Sequence, residues 1–278
     1  MEITNDIVDM FNDYLINTEK SKSTIYKYVN DVRRLQQWLE DEDLCKQNIL
    51  TYKTILCKKY ATSSVNTTLS ALNAFFSFIE RQDLRVKKIS VQRQIFISSD
   101  IELLKGEYEM LLKVAKENKK DRLFLLMQTI CCTGIRVSEL CFITIEAISD
   151  GVARINCKGK KRDVFIPQEL CEVLHKYAND KKIKNGPVFI TKNGNPLNRS
   201  NIWSDMKKLC KCTNVLKEKV FPHNLRHLFA RTHYDMCKDI VRLADVLGHS
   251  SINTTRIYTL ESGETHRKQI QSLGLLKC

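Results

Sequence analysis

The sequence predicts a mainly α-helical chain in two parts, a four-helix N-terminal domain and a larger α-rich domain carrying a small β-hairpin. Three observations predict this. Apolar residues recur at helical spacing through the first 85 positions, the pattern fails in a basic, β-branched stretch after Arg85, and it returns from Tyr108 with only short alternating interruptions. With 278 residues, 43% hydrophobic and 28% charged, the chain is long enough for two cores and has the composition of a globular protein.

Taken in order, Ile7, Met10, Phe11, Tyr14 and Leu15 mark a first helix, and Ile25, Tyr28, Val29, Val32, Leu35 and Leu39 a second. Ile49, Tyr52, Ile55 and Leu56 mark a shorter third. Val65, Leu69, Leu72, Phe76 and Ile79 mark a fourth, with Ser63 or Ser64 as its N-cap. These form a bundle domain over residues 1–86. RVKKISVQRQIFISSD carries no helical stripe and reads as an extended basic linker, 87–102, whose Lys87 and Lys88 can lie along a phosphate backbone. In the second domain, 103–278, GVARINCKGKKRDVFIP alternates around a glycine and reads as a β-hairpin. GPVFITKNGNPL is a second extended patch with turn chemistry at Asn193-Gly194, and helix resumes from Phe221.

The formal charge of +13 favours a polyanionic partner. It is unevenly spread: residues 1–50 hold six basic and ten acidic side chains, whereas 151–200 hold eleven and four. No apolar run spans a bilayer, and the first twenty residues do not resemble a secretory signal, so a cytoplasmic protein without a membrane partner is expected. The eleven cysteines form no CxxC pair, and they are expected to be reduced and mostly buried.

Several polar residues fall at element ends in the second domain. CCTGIRVSEL places Arg136 just past a helix-stopping glycine, and FPHNLRHLFA puts His223 and Arg226 on one helix face after a proline that starts the helix. Lys158 lies at the hairpin turn, His249 follows the helix-ending Gly248, and Tyr258 comes nine residues later. His227 reads as structural. Together these groups suit displacement at a phosphodiester. Paired guanidiniums match the non-bridging oxygens, histidines bond the same oxygens or manage a proton, and a lysine protonates the leaving 5′ oxygen. Tyr258 would be the nucleophile, its phenolate favoured by the surrounding cations. Nine helical residues rise ~13 Å, so His249 and Tyr258 are expected to bracket the phosphate from two sides, with the TT segment between them free to adjust. No carboxylate cluster for a metal and no phosphate-cradling glycine loop is evident, so metal-free chemistry without a cofactor is expected.

TGIRVSEL, the lysine of INCKGKKRDVFIP, HNLRH and LGHSSINTTRIYT, in this order and at these intervals, resemble the tyrosine recombinases, the group of phage integrases and Xer-type resolvases. The resemblance covers the whole chain and implies their fold, with a SAM-like core-DNA-binding domain ahead of the catalytic domain. It implies that Arg136 and Arg226 clamp the phosphate, Lys158 is the general acid, His223 and His249 support, Glu139 orients its neighbours and Tyr258 attacks. The implied activity is site-specific recombination through a 3′-phosphotyrosine and a Holliday junction. Its partners would be double-stranded DNA with inverted-repeat core sites, a homotetramer on DNA built from free monomers, and a possible partner recombinase or accessory protein. ETHRKQIQSLGLLKC would dock on the neighbouring subunit.

Where many relatives carry arginines, the fourth helix has SVNTTLSAL, so Ser64, Asn66 and Thr67 are expected to contact DNA, with Lys160, Lys161, Arg162 and Arg199 doing so in the second domain. No arm-binding domain precedes the first helix, which favours an Xer-like or small mobile-element enzyme. Two other classes share the residues: a monomeric type IB topoisomerase-like enzyme that relaxes DNA, and a catalytically silent DNA-binding regulator. The complete six-residue set weighs against the second, and the tail after Tyr258 against the first.

Overall fold

A computed structural model describes residues 2–40, 42–90, 102–157, 160–191, 193–259 and 271–273, apart from the side chains of Cys157, Lys160 and Thr259. The chain forms two compact units, Met1–Arg93 and Gln94–Cys278.

The first unit has four helices: α1 (Asn5–Asn17), α2 (Lys22–Leu39), α3 (Lys46–Lys59) and α4 (Thr62–Phe78). The hydroxyls of Thr4 and Ser21 accept hydrogen bonds from the amides of Ile7 and Thr24, so α1 and α2 begin at side-chain caps. The cap expected at Ser63 or Ser64 is corrected: Ala61 holds that place in extended conformation, and both serines lie within the first turn. Val8, Phe11 and Leu15 of α1 pack with Val32, Leu35, Leu69, Phe75 and Phe76, and the Phe11 and Phe75 rings meet edge-on at 5.2 Å. Met10 and Tyr14, expected in the apolar stripe, are exposed because the buried face of α1 is centred on Val8 and Phe11, and Ile55 is exposed because α3 buries Ile49, Tyr52 and Leu56 instead.

Beyond α4 the chain runs extended along that helix, held by two asparagines. The Asn73 amide donates to the Val86 carbonyl (2.8 Å) and accepts from its N–H (2.9 Å), and Asn66 does the same with Ile89 (2.9 and 2.8 Å). The spacings match: seven residues of helix rise ~10.5 Å, and three of extended chain cover ~10 Å. Lys53 adds a bond to the Lys87 carbonyl at 2.7 Å. Lys87 and Ile89 of the expected linker are therefore bonded to the helices, and 91–101 lie outside the described residues.

The second unit contains α5 (Lys105–Glu117), α6 (Asp121–Thr133), a 3-10 turn (Val137–Phe142), α7 (Ile145–Asp150), strands β1 (Val152–Cys157) and β2 (Lys160–Phe165), α8 (Gln168–Asp180) and α9 (Arg199–Leu209). These are followed by α10 (Pro222–Cys237), α11 (Ile240–Leu247), the four-residue α12 (Ile252–Thr255) and a 3-10 turn, Arg256–Thr259. The strands pair antiparallel from Val152 opposite Phe165 to Cys157 opposite Lys160, as the glycine-centred alternation predicts. The GPVFITKNGNPL patch forms only isolated bridges, Thr144 with Pro187 and Ile190 with Pro196, around a turn at Gly194 (φ +77°).

Helix α6 is the core of this unit. Leu125, Leu126, Met127 and Ile130 are buried among residues of α5, α8, α9 and α10. Its buried Thr129 and Thr133 bond back to carbonyls four residues earlier, which makes them tolerable there. Of the nine described cysteines only Cys171 and Cys210 are buried while four are exposed, which corrects the expectation that they mostly fill the core. Among the described residues no helix is long and apolar enough to cross a membrane.

Candidate active site

Two left-handed glycines set the site. Gly134 ends α6 at φ +62° and Gly248 ends α11 at φ +63°, as the stop signals predict. Both also need their missing side chain. A Cβ on Gly134 would lie 2.4 Å from the Phe229 ring, and one on Gly248 would lie 2.4 Å from Cδ of Arg162. The chain corners after them carry Arg136 and His249.

Arg226, on the second turn of α10 after Pro222 at its start, is 1% exposed. Its Nη1 donates to the Gly134 carbonyl (2.5 Å), and its Nη2 to the Leu247 carbonyl (2.7 Å) and to His249 Nε2 (3.1 Å). One guanidinium thus fastens both glycine corners. Burial, and after it the nearby Arg136, lower its pKa to about 10, so it stays charged at neutral pH.

Arg136 is more open to solvent. Its Nη1 bonds Glu139 Oε1 at 2.9 Å and its Nη2 the Gly248 carbonyl at 3.2 Å. Glu139, 4% exposed, also accepts from the Arg136 backbone N–H, closing the 3-10 turn as a capping-box glutamate closes a helix start. Burial pushes the Glu139 carboxyl up, but that N–H, Arg162 and the Arg136 side chain outweigh it and hold the pKa below the usual range. The orienting part expected of Glu139 has this geometry.

His249 sits between Arg226 and Thr255. Because an arginine can only donate, Nε2 accepts, so Nδ1 carries the hydrogen and donates to the Thr255 hydroxyl at 2.8 Å. Burial and then Arg226 lower the His249 pKa to about 4, and burial and then His223 do the same for His227. Burial and then Arg226 also lower that of the exposed His223.

The path from His249 to Tyr258 is more compact than the ~13 Å helical rise expected to separate them. Helix α12 stops after four residues and the following 3-10 turn folds back, so the two rings lie nearly parallel (15°) with centroids 6.2 Å apart. Thr255 is not slack, being fully buried on its bond to His249, whereas Thr254 is exposed. Tyr258, 4% exposed, packs with Ala230, Leu243 and Leu247, and the His227 ring meets it edge-on at 4.8 Å. His227, read as structural, is thus part of the nucleophile's seat, and its buried Nε2 has no partner among the described residues. The phenol's pKa corrects the sequence reading too. Burial raises it, and Arg226 and Arg136, pulling the other way, do not overcome that. Without DNA, Tyr258 is a buried neutral phenol.

The structure therefore brings Arg136, Arg226, His223, His249 and Tyr258 together, while Lys158 lies outside the described residues. Arg162, expected on DNA, is instead tied inside: Nη2 bonds Glu139 Oε2 and Nη1 the Val246 carbonyl, each at 2.7 Å. The Asn66 side chain, also expected on DNA, donates to the Ile89 carbonyl and accepts from its N–H. Ser64, Thr67, Lys87 and Lys88 are exposed on the first unit, and Lys161 and Arg199 on the second; the Lys160 side chain is outside the description. Sequence reasoning missed His227, Thr255 and the internal place of Arg162. The alternation of β2 carried a signal for the last, since Arg162 shares its face with buried Val164.

Two arginines and three histidines are thus gathered beside a buried tyrosine. The sequence matches the Phage integrase family over residues 102–264 and the phage integrase N-terminal SAM-like domain over residues 8–83. It is 30% identical over 288 residues to tyrosine recombinase XerA of Thermococcus kodakarensis, covering 100% of this chain and 98% of that one. In fold it is similar to XerH site-specific recombinase bound to difH substrate (TM-score 0.70, 18% identity, 97% and 95% of the two chains). It is also similar to a lambda integrase tetramer bound to a Holliday junction (TM-score 0.73, 18% identity, 91% and 76%). The chain belongs to the phage integrase family, the tyrosine recombinases.

Proposed function

We propose that this tyrosine recombinase breaks and rejoins double-stranded DNA at inverted-repeat core sites through a covalent 3′-phosphotyrosine on Tyr258. The observation that carries the reading is the seat of Tyr258, ring to ring with His249 and His227 and within electrostatic reach of Arg226 and Arg136. The phenol oxygen attacks phosphorus and forms the P–O bond to tyrosine while the P–O5′ bond breaks. The neutral imidazole of His223 receives the phenol proton, His249 supports through its bond to Arg226, and Lys158 delivers a proton to the departing 5′ oxygen. Arg136 and Arg226 hold the non-bridging oxygens and offset the phosphate's negative charge, which would otherwise oppose formation of the phenolate.

A 5′ hydroxyl from a second strand then attacks the phosphotyrosine and frees the tyrosine. One phosphoester is exchanged for another, so neither ATP nor a cofactor enters the balance. Strand exchange in pairs yields a Holliday junction within a homotetramer that assembles on DNA from monomers, in the cytoplasm, with or without a partner recombinase or accessory protein. Residues 1–86 serve as the core-DNA-binding domain, 87–102 as the linker and 103–278 as the catalytic domain with a tail that docks on the neighbour. Ser64, Thr67, Lys87, Lys88, Lys160, Lys161 and Arg199 are the proposed DNA contacts.

The test is a nicked suicide substrate carrying the cognate site. Wild type traps a 3′ adduct and Tyr258→Phe binds but traps none. Adducts without exchange between two sites would indicate a relaxing enzyme, and binding without adduct in the wild type a silent regulator.

A further inference from the structure

We propose that Arg162 is a positioning residue of the cleavage reaction, holding Glu139 against Arg136 and the chain corner that precedes His249, instead of contacting DNA. The proposal rests on the recombination reading above.

The joint is a closed circuit. Glu139 Oε1 is bonded to Arg136 and Oε2 to Arg162. Arg162 then donates to the Val246 carbonyl at the end of α11, and Arg136 returns the circuit through the Gly248 carbonyl. The Arg162 side chain is 13% exposed, and it lies where any side chain on Gly248 would stand, 2.4 Å from its Cδ and 2.8 Å from its Nε. Gly248 is therefore both the stop of α11 and the seat of this arginine. Its Nε is buried with no partner among the described residues, so the two bonded Nη groups set its orientation. Pulled out to a DNA phosphate, Arg162 would leave a buried carboxylate short of a cation and a helix-end carbonyl without its donor. A lysine has no planar fork to span both acceptors.

The circuit also fixes what removing the arginine must do. Arg136 on its own turn, Arg162 on β2 and Arg226 on α10 are the charged groups facing Glu139, and neutral His249 stands beyond Gly248. With Arg162 gone, burial goes further toward prevailing over the remaining donors, and the carboxyl titrates at higher pH.

Two measurements on the full chain test this. In single-turnover cleavage of the suicide substrate at saturating protein, Arg162→Ala is expected to be about 10- to 100-fold slower at neutral pH. DNA affinity is expected to be unchanged, and the acid limb of the rate profile to move to higher pH. That limb disappears in the Arg162→Ala/Glu139→Gln double variant, and Arg162→Lys moves it back without restoring the rate. Weakened DNA binding with an unchanged saturated rate, or a slow enzyme with the wild-type pH profile, overturns the proposal. Carboxyl carbon NMR of Glu139 in DNA-free protein reads the joint without cleavage: its pKa rises in Arg162→Ala, or in Arg162→Gln should the alanine variant not fold, and an unchanged value overturns the proposal. A wild type that traps no adduct sinks the recombination reading and leaves the NMR result standing.

Discussion

Both units of this chain fasten irregular backbone with side chains, but with different chemistry. In the first, Asn66 and Asn73 each spend one donor and one acceptor on Ile89 and Val86. In the second, Arg226, Arg136 and Arg162 hold the carbonyls of Gly134, Leu247, Gly248 and Val246. A neutral amide with both ends in use has little left to offer a ligand. A guanidinium has five N–H donors, and spending two or three on the fold leaves charge and donors for an incoming anion. Two of these three arginines, Arg136 and Arg226, are also proposed to receive the phosphate, whereas the DNA contacts proposed for the helical unit, Ser64, Thr67, Lys87 and Lys88, are residues other than Asn66 and Asn73.

The sharpest way to break this contrast is at Arg226. Arg226→Gln is expected to lower single-turnover cleavage by ~10²–10³-fold, the scale of losing one transition-state donor. It should also lower the melting temperature, because the Gly134 and Leu247 carbonyls lose their partner; a fold left untouched would separate the two duties. On the other side, Asn66→Ala is expected to cost roughly 1–3 kcal/mol of stability, the penalty for stranding buried backbone groups. Cleavage of bound DNA should stay at the wild-type rate, which urea denaturation and adduct assays would check. A larger effect on cleavage than on stability would restore Asn66 as a functional contact.

The smallest effect concerns pH. His249 and His227 titrate near 4 in the fold and near 6.5 in the unfolded chain. Between those values the unfolded chain binds protons that the native state refuses, so stability falls as pH drops from about 6.5 toward 4 and is flat above that window with respect to these groups. His249→Asn is expected to shallow the slope in thermal melts, while Asn66→Ala leaves it unchanged.

Much of this was legible in sequence because it depends on local rules. Pro222 starts α10, Gly134 and Gly248 stop α6 and α11, and alternation around Gly159 gives the hairpin. What escaped depends on contacts distant in sequence or on chain reversal. Lys160, Lys161 and Arg162 look alike as a basic run, and only the pleat sends Lys161 outward and Arg162 in toward Glu139. The spacing of His249 and Tyr258 suggests separation until α12 is seen to end after four residues. The phenol's pKa could not be read from nearby cations alone, because burial outweighs them.

The four-residue α12 has one further consequence. An isolated single turn is not stable in water, so the placement of Tyr258 depends on the Thr255–His249 bond and on ring contacts within a small apolar cluster. The cradle is welded into the frame of the enzyme, and the warhead is only clipped to it. Under the proposed reaction, the timing of DNA breakage would follow whatever loosens or tightens that clip, since the arginines proposed to take the phosphate are already bonded into the fold.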